Sequence, residues 1–124
     1  MRVVVAPDKF KGTAGASALA SAIGAALVSL GHEVEVFPMA DGGEGFLEAL
    51  GGANRTTTVT VPLGKSVEAG WRLAKGTAVI EMATAAGLVL VGGPEENDAI
   101  EASTRGVGEL IVSAVEAGAR RIVL

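Results

Sequence analysis

Apolar residues open the chain as a short continuous run, Val3 to Ala6, closed by Pro7 and Asp8, a pattern that predicts a strand buried in a parallel sheet. Residues Asp8 to Thr13 then form a loop. From about Gly15 to Leu30, Leu19, Ile23, Leu27 and Leu30 recur at helical spacing, and Gly31 stops the helix. Glu33 to Phe37 alternates apolar and polar positions and predicts a second strand. Residues 1–37 therefore read as one β-α-β unit, whose crossover is expected to be right-handed.

A short helix is expected over about Glu44 to Leu50, with Gly51-Gly52-Ala53-Asn54 as its breaker. The texture then changes. Thr56 to Val61 is rich in β-branched residues, Pro62 to Lys65 has turn composition, Val67 to Leu73 can form a strand, and Lys75-Gly76 turns into Thr77 to Met82. These read as antiparallel strands. A loop over Gly92 to Asp98 precedes a helix over about Ser103 to Ala117 that ends at Gly118, and Arg120 to Leu124 reads as a last strand.

The expected class is α/β: a parallel β-α-β lobe of flavodoxin or Rossmann type over residues 1–55, then over residues 56–124 the start of a second, mixed α/β lobe. The chain stops inside an apolar strand, which predicts truncation. A terminal strand without a partner also invites a homo-oligomer through edge pairing or domain swapping.

Composition narrows the classes of function. With 124 residues there is room for one domain or two small subdomains, and with aromatics at only 3% the core must be built from Ala, Val, Leu and Ile. Eighteen glycines are about twice the average share and imply many tight turns or a backbone-lined pocket. A net charge of −4 argues against a nucleic-acid partner, which selects a basic face. Without cysteine and with a single histidine, any metal site is built from oxygen. The apolar start is too short for a signal peptide and no stretch approaches a membrane span of roughly 20 residues, so no membrane partner and a cytoplasmic location are expected.

The most informative segment is Pro38-Met39-Ala40-Asp41-Gly42-Gly43-Glu44-Gly45. Glycine lets the backbone approach a ligand, and Asp and Glu three positions apart can converge on a metal ion or an ionisable hydroxyl. Ligands of open parallel sheets collect outside the carboxyl ends of the strands. The first strand delivers Asp8, Lys9 and Lys11 there, the second delivers Asp41 to Gly45, and a parallel pairing puts both loops on one edge.

Two phosphate-binding signatures fail. Gly64-Lys65-Ser66 imitates the end of a P-loop, but Val59 stands where the pattern needs glycine. Gly106-Val107-Gly108-Glu109-Leu110-Ile111 imitates a dinucleotide fingerprint, but its third glycine position holds Ile111. His32 follows a helix stop and reads as a surface residue at the helix C-terminal dipole, and Trp71 reads as a packing residue.

Several segments together carry a resemblance that spans nearly the whole chain: Ala6-Pro7-Asp8-Lys9-Phe10-Lys11-Gly12, Pro38 to Gly45, Pro62-Leu63-Gly64, Ala78 to Ala83, Ala86-Gly87-Leu88, and Ser103 to Ile111. They resemble the N-terminal part of glycerate kinases of the bacterial glycerate 2-kinase type. The family usually has a small hydroxyl residue where Lys9 stands, Thr where Phe46 stands and Ser or Thr where Gly15 stands. Its members run roughly three times as long. Its Gly-Gly-Ser-Ala-Thr-Asn-Asp-type stretch after the last strand is absent here.

The resemblance implies phosphoryl transfer from ATP, with Mg²⁺, to D-glycerate, giving 2-phosphoglycerate. Such a reaction asks the protein for cations, backbone N–H groups, positioning and a proton acceptor. On that basis Lys11 is assigned to a phosphate or to the glycerate carboxylate, and Gly42, Gly43 and Gly45 to backbone N–H donation at a helix N-terminus. Asp41 coordinates Mg²⁺ or acts as general base, with Glu44 as its partner. Lys9 adds charge to a phosphate-facing loop. Asp8 is a site acid or a turn former. Glu81 interrupts an apolar run and serves the site or a structural ion pair. Thr104 binds an anion or is a plain N-cap. The alternative is a non-catalytic module that binds a small anion without turning it over.

Overall fold

The computed structural model describes residues 1–10, 13–41 and 43–124. Strands β1 (Arg2–Val5) and β2 (Glu33–Val36) pair in parallel with Val3 opposite Val34 and Val5 opposite Val36, and helix α1 (Ala16–Ser29) makes the crossover. The ladder runs on past both strand ends. Phe37 N–H donates to the Val5 carbonyl at 2.8 Å, and Met39 N–H to the Pro7 carbonyl at 2.9 Å. That continuation carries the segments after Pro7 and after Met39 out on the same edge.

The packing face of α1 differs from the apolar stripe expected of it. Ala20 and Gly24 are buried, while Ile23 and Leu30 face solvent. A Cβ on Gly24 would lie 2.9 Å from Val36 Cγ2, so small residues let the helix settle closely on β2. The sheet is also less covered than a parallel strand predicts. Val5 is buried but Val4 is 59% exposed, because α1 layers only one face of the two strands.

Beyond the short helix α2 (Phe46–Ala49), strands β3 (Arg55–Thr60), β4 (Ser66–Ala74), β5 (Thr77–Val79) and β6 (Arg121–Val123) form a second sheet in that spatial order. The first three are antiparallel, as expected. Lys75 and Gly76 both have positive φ, 49° and 76°, which is the backbone of a two-residue hairpin whose twist matches its strands. Gly64, at φ +87°, closes the β3–β4 turn that mimics a P-loop in sequence.

From β5 the chain passes through helix α3 (Ala83–Ala86), a 3₁₀ turn at Leu88–Val91 and helix α4 (Arg105–Glu116) before returning as β6, parallel to β5. The terminal strand therefore has a partner, with Ala78 opposite Ile122, which corrects the expectation of an unpaired end. The expected strand over Thr77 to Met82 is cut at Val79, because the chain turns into α3, although Ile80 N–H still donates to the Val123 carbonyl at 2.9 Å.

The core lies between this sheet and α4: Val59, Trp71, Ile80, Val107, Leu110 and Ala114 are all buried. Trp71 packs there and donates from Nε1 to Thr57 Oγ1 at 2.9 Å. The segment that mimics a dinucleotide fingerprint holds α4 on β3. Glu109 accepts from Thr60 N–H at 2.7 Å and from Arg105 Nε at 2.8 Å, and the Thr60 N–H, with help from Arg105, keeps its carboxyl below the usual range. No helix among the described residues is long and apolar enough to cross a membrane.

Gly106 marks the closest approach of α4 to the sheet, since a Cβ there would sit 2.2 Å from the Thr60 carbonyl oxygen. Backbone cannot yield as a side chain can. Gly106→Ala is expected to destabilise the fold by about 1–3 kcal/mol through overpacking, lowering the midpoint of thermal unfolding by at least several degrees. An unchanged midpoint would show that α4 does not seat on β3 as described.

Candidate functional site

The loops after β1 and β2 enclose a cleft of about 340 Å³ at the carboxyl edge of the parallel pair, the place where such sheets bind ligands. Asp8, Lys9 and Phe10 line it from the first loop, Met39, Glu44 and Gly45 from the second, and Ser17 and Glu48 from the helices behind. The edge predicted from the strand pattern thus gathers Asp8, Lys9, Glu44 and Gly45 around one cavity. Lys11 and Gly42, which the family resemblance assigns to anion binding, lie outside the described residues.

Asp41 stands beside the cleft and does not line it. Its Oδ1 accepts from Gly43 N–H at 3.0 Å and meets Lys9 Nζ at 3.6 Å. The Gly43 N–H first, and the Lys9 charge second, hold the Asp41 carboxyl below the ordinary carboxylate range. Lys9 is itself anchored, donating from Nζ to the Glu44 carbonyl at 2.7 Å. Asp8 bonds within its own loop, its Oδ1 accepting from the adjacent Lys9 N–H at 2.7 Å.

Glu81, two residues beyond β5, is the one buried charged residue among those described, 7% exposed. It forms no ion pair with a described residue. Its Oε2 accepts from Gly45 N–H at 3.1 Å and from Leu47 N–H at 2.9 Å. The carboxylate thus caps α2 from across the molecule, satisfying donors that the first turn of a helix leaves without intrahelical partners. Gly45 makes this geometry available by adopting φ +92°, a left-handed conformation natural to glycine.

These bonds correct the role expected for the glycine N–H groups. Gly43 N–H is taken by Asp41 and Gly45 N–H by Glu81, so protein carboxylates occupy both. Thr104 is corrected as well. It holds the N-cap position of α4, but its hydroxyl makes no cap bond; Ser103 Oγ accepts from Arg105 N–H at 3.1 Å instead. Thr104 lines a different, smaller cleft of about 150 Å³ with Pro62 and Leu88.

Glu48 was missed by sequence reasoning. Its signal was available, since Glu44 and Glu48 are four positions apart in the helix expected over Glu44 to Leu50. No group of three or more carboxylates or histidines that could hold a metal ion is present among the described residues.

Glu81→Ala leaves the Gly45 and Leu47 N–H groups without this acceptor, at a cost of about 1–3 kcal/mol for the buried Leu47 N–H. Amide exchange at Gly45 and Leu47 is expected to speed up sharply while β3 and β4 stay protected. Unchanged exchange at those two amides would remove the capping role.

A profile of the glycerate kinase family matches residues 3–124. The chain is 42% identical over its whole length to the glycerate 2-kinase of Escherichia coli (strain K12), covering 34% of that protein. It is 41% identical, again over its whole length, to the glycerate kinase of Bacillus subtilis (strain 168), of which it also covers 34%. Among solved structures, that of a Salmonella typhimurium LT2 protein assigned as glycerate kinase 2 superposes with a TM-score of 0.75 and 38% identity, covering 98% of this chain and 35% of that one. The chain spans about a third of the length of the curated relatives it matches. With a profile match from Val3 to Leu124 and identity near two-fifths throughout, the chain belongs to the glycerate kinase family.

Proposed function

We propose that the protein carrying this chain transfers a phosphoryl group from ATP to D-glycerate, giving 2-phosphoglycerate, and that the cleft between the loops after β1 and β2 is part of the acceptor site. The observation that supports this most is the gathering of Asp8, Lys9, Glu44 and Gly45 around one cavity on the carboxyl edge of the parallel pair. Residues 1–55 and 56–124 act in this reading as two lobes, each with its own sheet.

Phosphoryl transfer spreads negative charge over the moving group, so the protein's task is to position reactants and supply countercharge. The lowered pKa of Asp41 favours one of its two proposed roles, cation binding, over that of general base. A carboxylate held below its ordinary range is a weak proton acceptor at neutral pH and a good partner for a cation. Asp41 is therefore assigned to Mg²⁺, and the hard oxygen donors of this loop suit that ion. Mg²⁺ keeps several waters and needs only one or two protein carboxylates beside substrate phosphates, so a three-carboxylate cage is not required. When bound, the ion neutralises charge developing on the phosphoryl oxygens.

Lys11 is assigned from the sequence to the phosphate or to the glycerate carboxylate. Glu44 and Glu48 place carboxylates on the cleft wall, where they can accept hydrogen bonds from glycerate hydroxyls. Glu81 acts at one remove by fixing the turn that presents Glu44. A non-catalytic anion-binding module fits less well, because the N–H groups of Gly43 and Gly45 that would serve it are engaged by carboxylates.

In the intact protein, ADP release should require both D-glycerate and Mg²⁺. Asp41→Asn is expected to lower kcat by about 100-fold or more, the scale for losing one group that stabilises the transition state, with an unchanged circular dichroism spectrum. Activity within about twofold of the parent would remove Asp41 from the site. Glycerate binding without any ADP release by the parent would favour the binding module.

A further inference from the structure

We propose that Lys9 is a positioning residue that straps the two site loops together; the proposal rests on the kinase reading for its catalytic consequence and on geometry alone for the strap. Lys9 leaves the first loop, and among the described residues its ammonium is bound by the second: Nζ donates to the Glu44 carbonyl at 2.7 Å and meets Asp41 Oδ1 at 3.6 Å. The side chain is only 21% exposed, against 71% for Asp41, so the lysine is the inserted member of the pair. A bond to a carbonyl oxygen from a charged donor is among the stronger hydrogen bonds, and here it spans 35 residues of sequence.

The second loop is shaped to receive the ammonium. A Cβ on Gly43 would lie 3.1 Å from Asp41 Oδ1 and 3.3 Å from Lys9 Nζ, so a side chain there would crowd the spot where the three groups meet. Gly43 in turn bonds to the same Asp41 oxygen and accepts from Phe46 N–H at 3.1 Å. Lys9, Asp41, Gly43 and the start of α2 therefore form one connected unit. Both contacts on Asp41 use Oδ1, which fixes the carboxylate and offers Oδ2 to a bound group.

A strap and a substrate ligand predict different kinetics. Loss of a positioning group lowers kcat, because a near-attack arrangement is held less of the time, whereas loss of a simple binding contact raises KM. Lys9 has one donor committed to the Glu44 carbonyl and its charge paired with Asp41, which makes it a poor substrate ligand.

The test compares Lys9→Met and Lys9→Arg with the parent, in the intact protein, by amide hydrogen exchange and by D-glycerate-dependent ADP release. Lys9→Met should raise exchange at Gly43 and Phe46 by about tenfold through local opening, leave Val59 and Leu110 protected, and lower kcat by more than it raises KM. Lys9→Arg keeps the charge and the donors and should recover most of both losses. Unchanged exchange at Gly43 and Phe46 in Lys9→Met overturns the strap whatever happens to turnover. A rise in KM at constant kcat overturns the positioning role in favour of direct substrate contact. Faster exchange in a protein whose parent shows no turnover keeps the strap and removes the kinase reading.

Discussion

A carboxylate taken out of water is costly unless donors replace the hydration it loses, and among the described residues Glu81 meets that condition through the backbone of a distant turn. Much else follows from this pairing. Strand β5 has to end where its next residues can reach Gly45 and Leu47. Helix α2, with four residues, is far too short to hold itself and is held from outside. Gly45 has to be left-handed so that its N–H points toward the second sheet. The bond thus ties the sheet that carries most of the core to the loop that carries most of the candidate chemistry.

The electrostatics of the site follow from who donates to whom. Acidic side chains have claimed the backbone donors, Asp41 at Gly43 and Glu81 at Gly45. The second loop is therefore a rigidified turn, and it meets the first loop through the Lys9 ammonium. Among the charged residues of the described cleft wall, the carboxylates of Asp8, Glu44 and Glu48 outnumber the one ammonium of Lys9, in keeping with the cation-assisted chemistry proposed. Family membership and the edge location agree with this without depending on it.

The sequence disclosed whatever rested on strong local periodicity. The β-α-β unit, the three antiparallel strands and the last helix and strand were legible from apolar spacing and glycine punctuation. The face of α1 was not, because Ala20 and Gly24 contribute shape and almost no hydrophobic signal, whereas Ile23 and Leu30 signal strongly and stay exposed. Partners far apart in sequence were also hidden. Glu81 was visibly out of place in an apolar run, yet nothing local could say that its partners are N–H groups more than thirty residues away. Lys9 read as added charge on a loop, and only the folded chain shows both of its acceptors on the other loop. At Thr104 a neighbouring hydroxyl on Ser103 won the capping bond, a choice between adjacent residues that composition does not make.

The most direct test of the cleft as the glycerate site is a titration of the isotopically labelled protein with D-glycerate, followed through backbone amide resonances. Shifts should concentrate at Asp8 to Phe10, at Met39 and from Gly43 to Glu48, the stretches that line and support the cleft. Shifts confined to Pro62, Leu88 and Thr104 would place the ligand in the smaller cleft and contradict the assignment, as would an absence of shifts at saturating concentrations.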